Sequence, residues 1–360
     1  MCITDWTLFM TVCFYVTAFD FLLYNHLYIT VAEGGNVMAY SIGIDLGGTN
    51  IVVGIVDDSR KIVDRKRVKT RAPRSAESLV DTMADTIDTL LTRQELSVTD
   101  LLSIGIGVPG VVDPETGMLL HATNLFLKHV DFPALLRERF PDVPVFIAND
   151  ADCAVFGEYL AGAAHNYKSV LMLTLGTGIG GGFVFENKIF RGATGFGIEP
   201  GHMAIETGDR IACSCGQWDC LEVYASIRGL KRMTCEALSG DDDTVLRDRV
   251  SFDGASFNAR YIFEAASEGD VVATMILDRF VHYLAIGIRN LVVLYRPHMI
   301  LLGGGISHAG DVLLEPLRAR VAQTTVSGDV LPPPPIERSN LGNDAGVIGA
   351  AMLYSEGQST

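Results

Sequence analysis

Positive charge is scarce in this chain of 360 residues. Its 28 lysines and arginines are outnumbered by 43 aspartates and glutamates, which gives a formal net charge of −15. Because so acidic a surface repels phosphate backbones and anionic lipids, we expect neither a nucleic-acid nor a membrane partner. An anionic ligand would instead have to be held by backbone N–H groups.

The cysteines do not follow a disulfide pattern. There are seven, an odd number, and four of them are scattered through apolar stretches: Cys2, Cys13, Cys153 and Cys235. This usage is typical of a reducing compartment and predicts a cytoplasmic protein. The chain also lacks a Cys-x-x-Cys pair, so a thioredoxin-type redox centre is not expected.

Lysine and arginine are absent before Arg60, and the first 37 residues differ from the rest. The run "WTLFMTVCFYVTAFDFLLY" is apolar enough for a signal or a membrane anchor, but it lacks the basic flank of either, and Asp20 interrupts it. "EGGNVM", which ends at Met38, fits a translated ribosome-binding sequence and start codon. We therefore expect residues 1–37 to be a non-native leader; the intact mass of natively expressed protein distinguishes this from an anchor.

From Met38 onward, short apolar strands alternate with amphipathic helices, which predicts an α/β protein. "IGIDLGGTNIVVGIV" (42–56) and "LMLTLGTGIGGGFVF" (171–185) share one pattern of strand, glycine-rich turn and strand. This single repeat predicts a duplicated architecture with a ligand cleft between two lobes. The expected lobes are a smaller one over 38–150 and a larger one over 151–360, with a helix over about 344–356 packing back on the first.

Three glycine-rich turns are candidate phosphate sites. The third lies in "MILLGGGIS" (299–307), where a strand precedes a helical segment. Glycine permits positive φ and lets backbone N–H groups approach a ligand closely. No turn is followed by the Gly-Lys-Ser/Thr of a Walker A loop, and "GTGIGGG" leads into a strand rather than the helix of a Rossmann motif. The first two turns are equally compatible with simple hairpins.

Two carboxylates are placed where chemistry could occur. In "FIANDADC", Asp150 lies at the junction of a strand and a helix, where it could accept the proton of an attacking hydroxyl or only cap the helix. Asn149 beside it could hydrogen-bond a neighbouring hydroxyl. Asp45 could hold Mg²⁺ through water or cap a turn.

The stretch "GHMAIETGDRIACSCGQWDCLE" (201–222) holds three cysteines in Cys-x-Cys-x4-Cys spacing after a histidine. Three thiolates and an imidazole make a full tetrahedral set for zinc, and a set without a vacant position suits a structural role. Unligated thiols are the alternative. Glu199 and Glu222 bracket the stretch, so a metal would fix their orientation.

Together these motifs resemble the sugar kinases of the repressor, open-reading-frame and kinase (ROK) family. The resemblance runs from about Tyr40 to Leu353 and rests on the order of "DLGGTN", "GVPGVVDPETG", "NL", "ANDADCAVFGE", "LGTGIGGG", "EPGH", "CSCGQWDCLE" and "LLGGGIS". It implies the duplicated actin-like ATPase (ribonuclease H-like) fold. It also implies phosphorylation of a hexose at the 6-hydroxyl by ATP and Mg²⁺, with glucose expected, in glycolytic carbohydrate metabolism.

The resemblance also implies roles for individual residues. Asp150 corresponds to the general base, and the sugar-binding set is Asn124, Asn149, Asp150, Glu199, His202 and Glu222. The nucleotide set is Asp45, Gly47, Gly48, Thr49, Asn50, Thr177, Gly178, Gly304 and Gly305. The zinc ligands are His202, Cys213, Cys215 and Cys220. A homodimer is expected from the family.

Two residues depart from the family pattern. Asp219 stands where the family has glycine before the last cysteine, and Asp tolerates positive φ better than most residues, so the zinc site is expected to survive with some strain. Ile198 also replaces a glycine and is expected to crowd the sugar pocket or its backbone. The alternatives to a glucose kinase are an N-acetylmannosamine or N-acetylglucosamine kinase and a non-catalytic sugar-sensing regulator.

Overall fold

The computed structural model describes residues 39–206, 208, 210–250, 257–324 and 331–358. The predicted leader, residues 1–37, lies outside these residues. The first of two five-stranded sheets has the spatial order β3-β2-β1-β4-β8. Its strands are β1 (Tyr40–Leu46), β2 (Asn50–Val56), β3 (Ile62–Lys69), β4 (Leu101–Val108) and β8 (Val145–Asn149). A small separate sheet contains β5 (Val111–Val112), β6 (Leu119–Ala122) and β7 (Leu127–Val130).

The second sheet repeats the plan of the first, with the order β11-β10-β9-β12-β13. Its strands are β9 (Ser169–Leu175), β10 (Ile179–Phe185), β11 (Lys188–Ile189), β12 (Met299–Gly303) and β13 (Ile336–Arg338). In each sheet an antiparallel hairpin is extended by a third antiparallel strand on one side and by two parallel strands on the other. The duplication read from the two glycine-rich turns is therefore confirmed in strand order.

Ten α-helices are described between and after these strands. They are α1 (Ala76–Arg93), α2 (Phe132–Arg139), α3 (Asp150–Ala161), α4 (Leu221–Ala225), α5 (Ile227–Leu238), α6 (Leu246–Arg249), α7 (Arg260–Ser267), α8 (Val271–Tyr295), α9 (Asp311–Thr324) and α10 (Asp344–Ala351). By length and composition alone α8 could cross a membrane, but 56% of its apolar window is buried inside the protein. It lies in the core of the second half against α7 and α9, as expected of a core helix.

Two helices join the halves by packing on the opposite sheet. Helix α3 follows β8 but packs on β10, whereas α10 follows β13 but packs on β1, β2 and β4. The two helices also contact each other, and glycine makes this close approach possible: a Cβ on Gly349 would lie 1.7 Å from the Cys153 carbonyl oxygen. A Cβ on Gly157 would lie 2.2 Å from the Ala345 carbonyl oxygen. The start of α3 is thereby fixed between the two sheets.

Candidate active site and metal centre

A cleft of about 820 Å³ opens at the carboxyl ends of strands from both sheets. Ten of the sequence-predicted residues line it: Asp45, Asn124, Asp150, Thr177, Gly178, Glu199, His202, Glu222, Gly304 and Gly305. Segments far apart in the chain thus meet in one space, because the two halves of the duplication face each other there. The volume is large enough for two small ligands side by side.

Asp150 is the first residue of α3 and faces the cleft. Its Oδ1 accepts a hydrogen bond of 2.9 Å from the Ala151 N–H. Burial raises the pKa of the Asp150 carboxyl, and hydrogen bonds from the backbone N–H groups of Ala151 and Asp150 oppose that rise only in part. A carboxylate with a raised pKa is a stronger base at neutral pH than an exposed one, which suits it to accept a proton.

Asn149, and not Asp150, is the N-cap of α3. Its Oδ1 accepts hydrogen bonds from the N–H groups of Ala151 (2.8 Å) and Asp152 (3.4 Å). Its Nδ2 donates to the Gly110 carbonyl oxygen at 3.0 Å. Asn149 is not among the residues that line the cleft, and its contacts fix the start of α3. Asp150 is therefore left free of the capping role.

Asp45 lies near the end of β1 and lines the same cleft. Its pKa is raised to about 6, chiefly by burial and then by the negative charge of Asp150, while Arg67 lowers it. Gly346 of α10 lies alongside, since a Cβ there would be 3.5 Å from the Asp45 Cγ. A divalent cation bound near Asp45 would stabilise the ionised form of its carboxylate.

The first hairpin turn, residues 47–50, lies next to the cleft residue Asn124. The Gly47 N–H donates to the Asn50 carbonyl oxygen at 2.9 Å and closes the turn, and Thr49 is exposed. A Cβ on Gly48 would lie 3.3 Å from the Asn124 Cβ. The turn thus reaches the cleft through its contact with Asn124, while Gly47, Gly48, Thr49 and Asn50 are not among the residues that line it.

Glycine has a different purpose at each of the other two turns. Gly304 has φ +79°, the left-handed conformation that glycine adopts without strain. Gly178 has no positive φ; it is required because a Cβ there would lie 2.2 Å from the Glu222 Oε2. The same Oε2 accepts a hydrogen bond of 3.0 Å from the Ile179 N–H, so this turn and Glu222 fix each other.

The four predicted metal ligands converge. The ligand atoms of His202, Cys213, Cys215 and Cys220 all lie within 4.8 Å of one another. The Sγ atoms of Cys215 and Cys220 are 3.7 Å apart, and the Cys213 Sγ is 3.6 Å from the His202 Nδ1. Tetrahedral zinc with its usual bond lengths requires edges of about 3.8 Å between two sulfurs and about 3.6 Å between sulfur and nitrogen. The donor set therefore fits a tetrahedral zinc ion through Nδ1 of the imidazole.

Comparison with known proteins covers nearly all of the described chain. The sequence profile of the ROK family matches residues 41–356. The chain belongs to the ROK family. It is 33% identical to a glucokinase of Halalkalibacterium halodurans over 88% of this chain and 94% of that protein. It is also 31% identical to a xylose repressor of Caldicellulosiruptor bescii, over 88% of this chain and 78% of the repressor.

Among solved structures, this ROK protein is similar to a ROK family glucokinase from Streptomyces griseus that was crystallised with glucose and AMPPNP. The TM-score is 0.71 at 33% identity, over 88% of this chain and 99% of that one. The predicted actin-like ATPase fold is confirmed by this likeness and by the repeated sheet order.

Asp219, the first departure from the ROK pattern, has φ +58°, as expected for a position that favours glycine. Its buried carboxylate accepts hydrogen bonds from the Ile211 N–H (2.7 Å), the Arg210 N–H (3.2 Å) and the Tyr224 hydroxyl (2.9 Å). Burial alone would raise the pKa of Asp219, but these hydrogen bonds and Arg210 hold it below its usual value. The strained residue thus braces the loop that carries the cysteines, which a glycine could not do.

Replacing Asp219 by alanine is expected to lower the melting temperature more than replacing it by glycine. Both variants lose the three hydrogen bonds, but only alanine keeps a Cβ at positive φ. Differential scanning calorimetry of both proteins checks the order. Equal melting temperatures would show that the backbone relaxes to another conformation and that φ is not constrained here.

Ile198, the second departure, does not crowd the cleft. Its half-buried side chain packs against the hydrophobic core of the second half, and it is not among the residues that line the cleft. The expected crowding of the pocket is not found, because proximity to Glu199 in the sequence does not determine which way the Ile198 side chain points.

Several cleft residues were not predicted. Six of them lie between the end of β13 and the first turn of α10: Arg338, Ser339, Asn340, Gly342, Asn343 and Gly346. The signal was "ERSNLGND", a polar glycine-containing segment, but the short β13 follows four consecutive prolines and could not be read as a strand. A second cavity of about 600 Å³ adjoins the cleft through Gly305 and His308 and is lined partly by Ile227, Phe263 and Ile306.

Proposed function

We propose that this ROK protein transfers the γ-phosphoryl group of ATP to the 6-hydroxyl of a hexose, with glucose as the expected sugar. One observation carries the proposal. Asp150, whose raised pKa suits a general base, lines one cleft together with Asp45, with Gly178 and Gly304 of two glycine-rich turns, and with Glu199, His202 and Glu222. In-line phosphoryl transfer requires that the phosphoryl acceptor and the phosphoryl donor bind in one cleft, next to a base.

The proposed sugar site consists of two carboxylates that accept hydrogen bonds, Glu199 and Glu222, and of the imidazole of His202, which donates one. His202 is also one of the four proposed metal ligands. When zinc is bound to the His202 Nδ1, the Nε2 carries the proton and can donate to a sugar hydroxyl. Glu222 is fixed by the Ile179 N–H, and its Oε1 accepts from the Ser214 hydroxyl at 3.4 Å. Glu199 has a raised pKa, chiefly through burial, while His202 opposes the rise. Asn124 completes the cleft on this side.

At the reacting end, Asp150 accepts the proton of the 6-hydroxyl as that oxygen attacks the γ-phosphorus. The raised pKa makes the carboxylate a better proton acceptor, and its place at the N-terminus of α3 keeps it oriented through the Asn149 cap. Closure of the halves around the sugar would exclude water, the competing acceptor.

At the phosphate end, Asp45 would hold Mg²⁺, through water, against the phosphates. Backbone N–H groups at Thr177 and Gly178, with the first hairpin turn behind Asn124, supply donors for phosphate oxygens. The adjoining cavity beyond Gly305 has an apolar wall suited to an adenine ring. A bound Mg²⁺ would neutralise charge that develops on the phosphoryl group.

A sugar panel tests the proposal. We expect glucose-dependent ADP release by zinc-loaded protein, with a higher kcat/KM for glucose than for N-acetylglucosamine or N-acetylmannosamine. Preference for an N-acetylated sugar would reassign the substrate within the same reaction. Sugar binding without ADP release would support a non-catalytic regulator instead. Light scattering on the same sample tests the expected homodimer.

A further inference from the structure

A buried group of three charges lies outside the cleft and has no part in the proposed chemistry. Arg191 donates from its two terminal nitrogens to the Oε1 and Oε2 of Glu356, at 2.6 and 2.9 Å. The Arg191 Nε lies 3.9 Å from the Asp152 Oδ2. The three side chains are only 22%, 20% and 8% exposed, respectively. A paired guanidinium with both partners this well shielded is held in one orientation.

Glu356 is itself fixed by the end of the chain. Its Oε1 also accepts from the Ile189 N–H of β11 at 3.0 Å. The Asn187 Nδ2 donates to the carbonyl oxygens of Ser355 (3.1 Å) and Gln358 (2.9 Å). These bonds hold the last described residues against β11, so Glu356 is a rigid anchor for Arg191.

Arg191 begins a loop that leads directly to the sugar side of the cleft. The Gly197 N–H donates to the Arg191 carbonyl oxygen at 3.0 Å and closes the loop two residues before Glu199. Gly192, Gly195 and Gly197 all have positive φ. A loop whose shape depends on three glycines has few side chains to hold it, so its ends determine its position.

The loop also contacts elements that carry the chemistry. A Cβ on Gly195 would lie 2.2 Å from the Pro114 Cγ, in the first half of the chain. A Cβ on Gly197 would lie 3.7 Å from the Asp152 Oδ2. Asp152 belongs to the first turn of α3, two residues after Asp150. Arg191 thus connects the chain end, the loop to Glu199 and the helix that carries the base.

We propose that Arg191, held by Glu356 and Asp152, is a positioning residue that fixes the 191–197 loop and thereby places Glu199 for sugar binding. The inference rests on the proposed function, since it takes Glu199 as a sugar ligand. It assigns no contact between Arg191 and the sugar or the phosphates.

Affinity for glucose and for ATP should separate in the variants. In R191Q and E356Q we expect the glucose affinity, measured by calorimetry, to fall about tenfold, the loss expected when a charge-assisted hydrogen bond is broken. ATP affinity should stay unchanged because the loop leads to Glu199 on the proposed sugar side of the cleft. R191K should lose less than R191Q, since lysine keeps the charge but cannot bond Glu356 with two nitrogens.

A pH profile supplies a measurement that a merely structural role would not change. Burial raises the pKa of Asp152 to about 7; Arg191 lowers it, while Glu356, Asp150 and Glu199 raise it. Above that pH the ionised Asp152 pairs with Arg191, so glucose affinity should increase as the pH rises through 7. In D152N this increase should disappear. Asp45, with a pKa of about 6, lies on the nucleotide side and should affect ATP affinity instead.

The matched control is a more exposed ion pair of the same residue types, Arg249 and Glu268, in which the Arg249 Nη2 and the Glu268 Oε2 are 2.7 Å apart. R249Q and E268Q should leave both affinities unchanged. Unchanged glucose affinity in R191Q and E356Q would overturn the positioning role, as would equal losses for glucose and ATP. Wild-type protein that binds glucose but releases no ADP would overturn the proposed function alone. Wild-type protein that binds no glucose would overturn both.

Discussion

Replacing Asp150 by asparagine is expected to lower kcat by about 10²- to 10⁴-fold, the contribution of a positioned general base. Glucose affinity should stay within a few-fold of wild type, because asparagine keeps an oxygen that can accept from the Ala151 N–H and preserves the start of α3. Steady-state kinetics with glucose, and calorimetry without ATP, measure the two quantities separately.

Asp131 provides a matched control, since its carboxylate also lies at a helix N-terminus, where it accepts from the Ala134 N–H at 2.8 Å. D131N should keep both kcat and glucose affinity, because asparagine caps a helix as well as aspartate does. If D150N lost glucose affinity by the same factor as kcat, Asp150 would act in binding and not in the transition state.

Removing the metal should have the second large effect. In C215S we expect the zinc content to fall from about one per chain to near zero and the melting temperature to fall by about 10 °C or more. Glucose affinity should fall with it, because His202 is both a metal ligand and a cleft residue and Glu222 follows Cys220 by two positions. Metal analysis, calorimetry and glucose titration of one preparation test the three effects together.

Cys235 is the matched control for that variant, since it is another exposed cysteine that is not one of the four converging ligands. C235S should keep its zinc, its melting temperature and its glucose affinity. Wild-type amounts of zinc in C215S would contradict the ligand assignment. Loss of zinc without any change in glucose affinity would separate the metal from the sugar site.

Features set by local sequence could be predicted well. The two glycine-rich turns share a sequence pattern because the two halves share a topology. This pattern was enough to predict the duplicated fold. Three of the four metal ligands, Cys213, Cys215 and Cys220, lie in one short segment, so their convergence follows from local sequence. Only the fourth ligand, His202, had to be added from outside that segment. Asp219 adopts positive φ, as its place in that segment suggested.

Features set by long-range packing could not be predicted. The sequence could not tell whether Asn149 or Asp150 caps the helix. The choice depends on the Gly110 carbonyl oxygen, which belongs to a different segment and accepts a hydrogen bond from the Asn149 Nδ2. The side chain of Ile198 points into the core because of residues far away in the chain. Asp152, Arg191 and Glu356 form an ion-pair group across 204 positions of sequence, from 152 to 356, and no spacing rule brings them together.

The crossing of α3 and α10 has a consequence for how the chain must be synthesised. The first sheet is complete in sequence by Asn149, yet the helix that covers β1, β2 and β4 is made of residues 344–351. While the chain is being synthesised, this face of the sheet therefore stays without its helix until residues 344–351 have been made. The first half cannot complete its fold before then, so its folding is coupled to that of the second half.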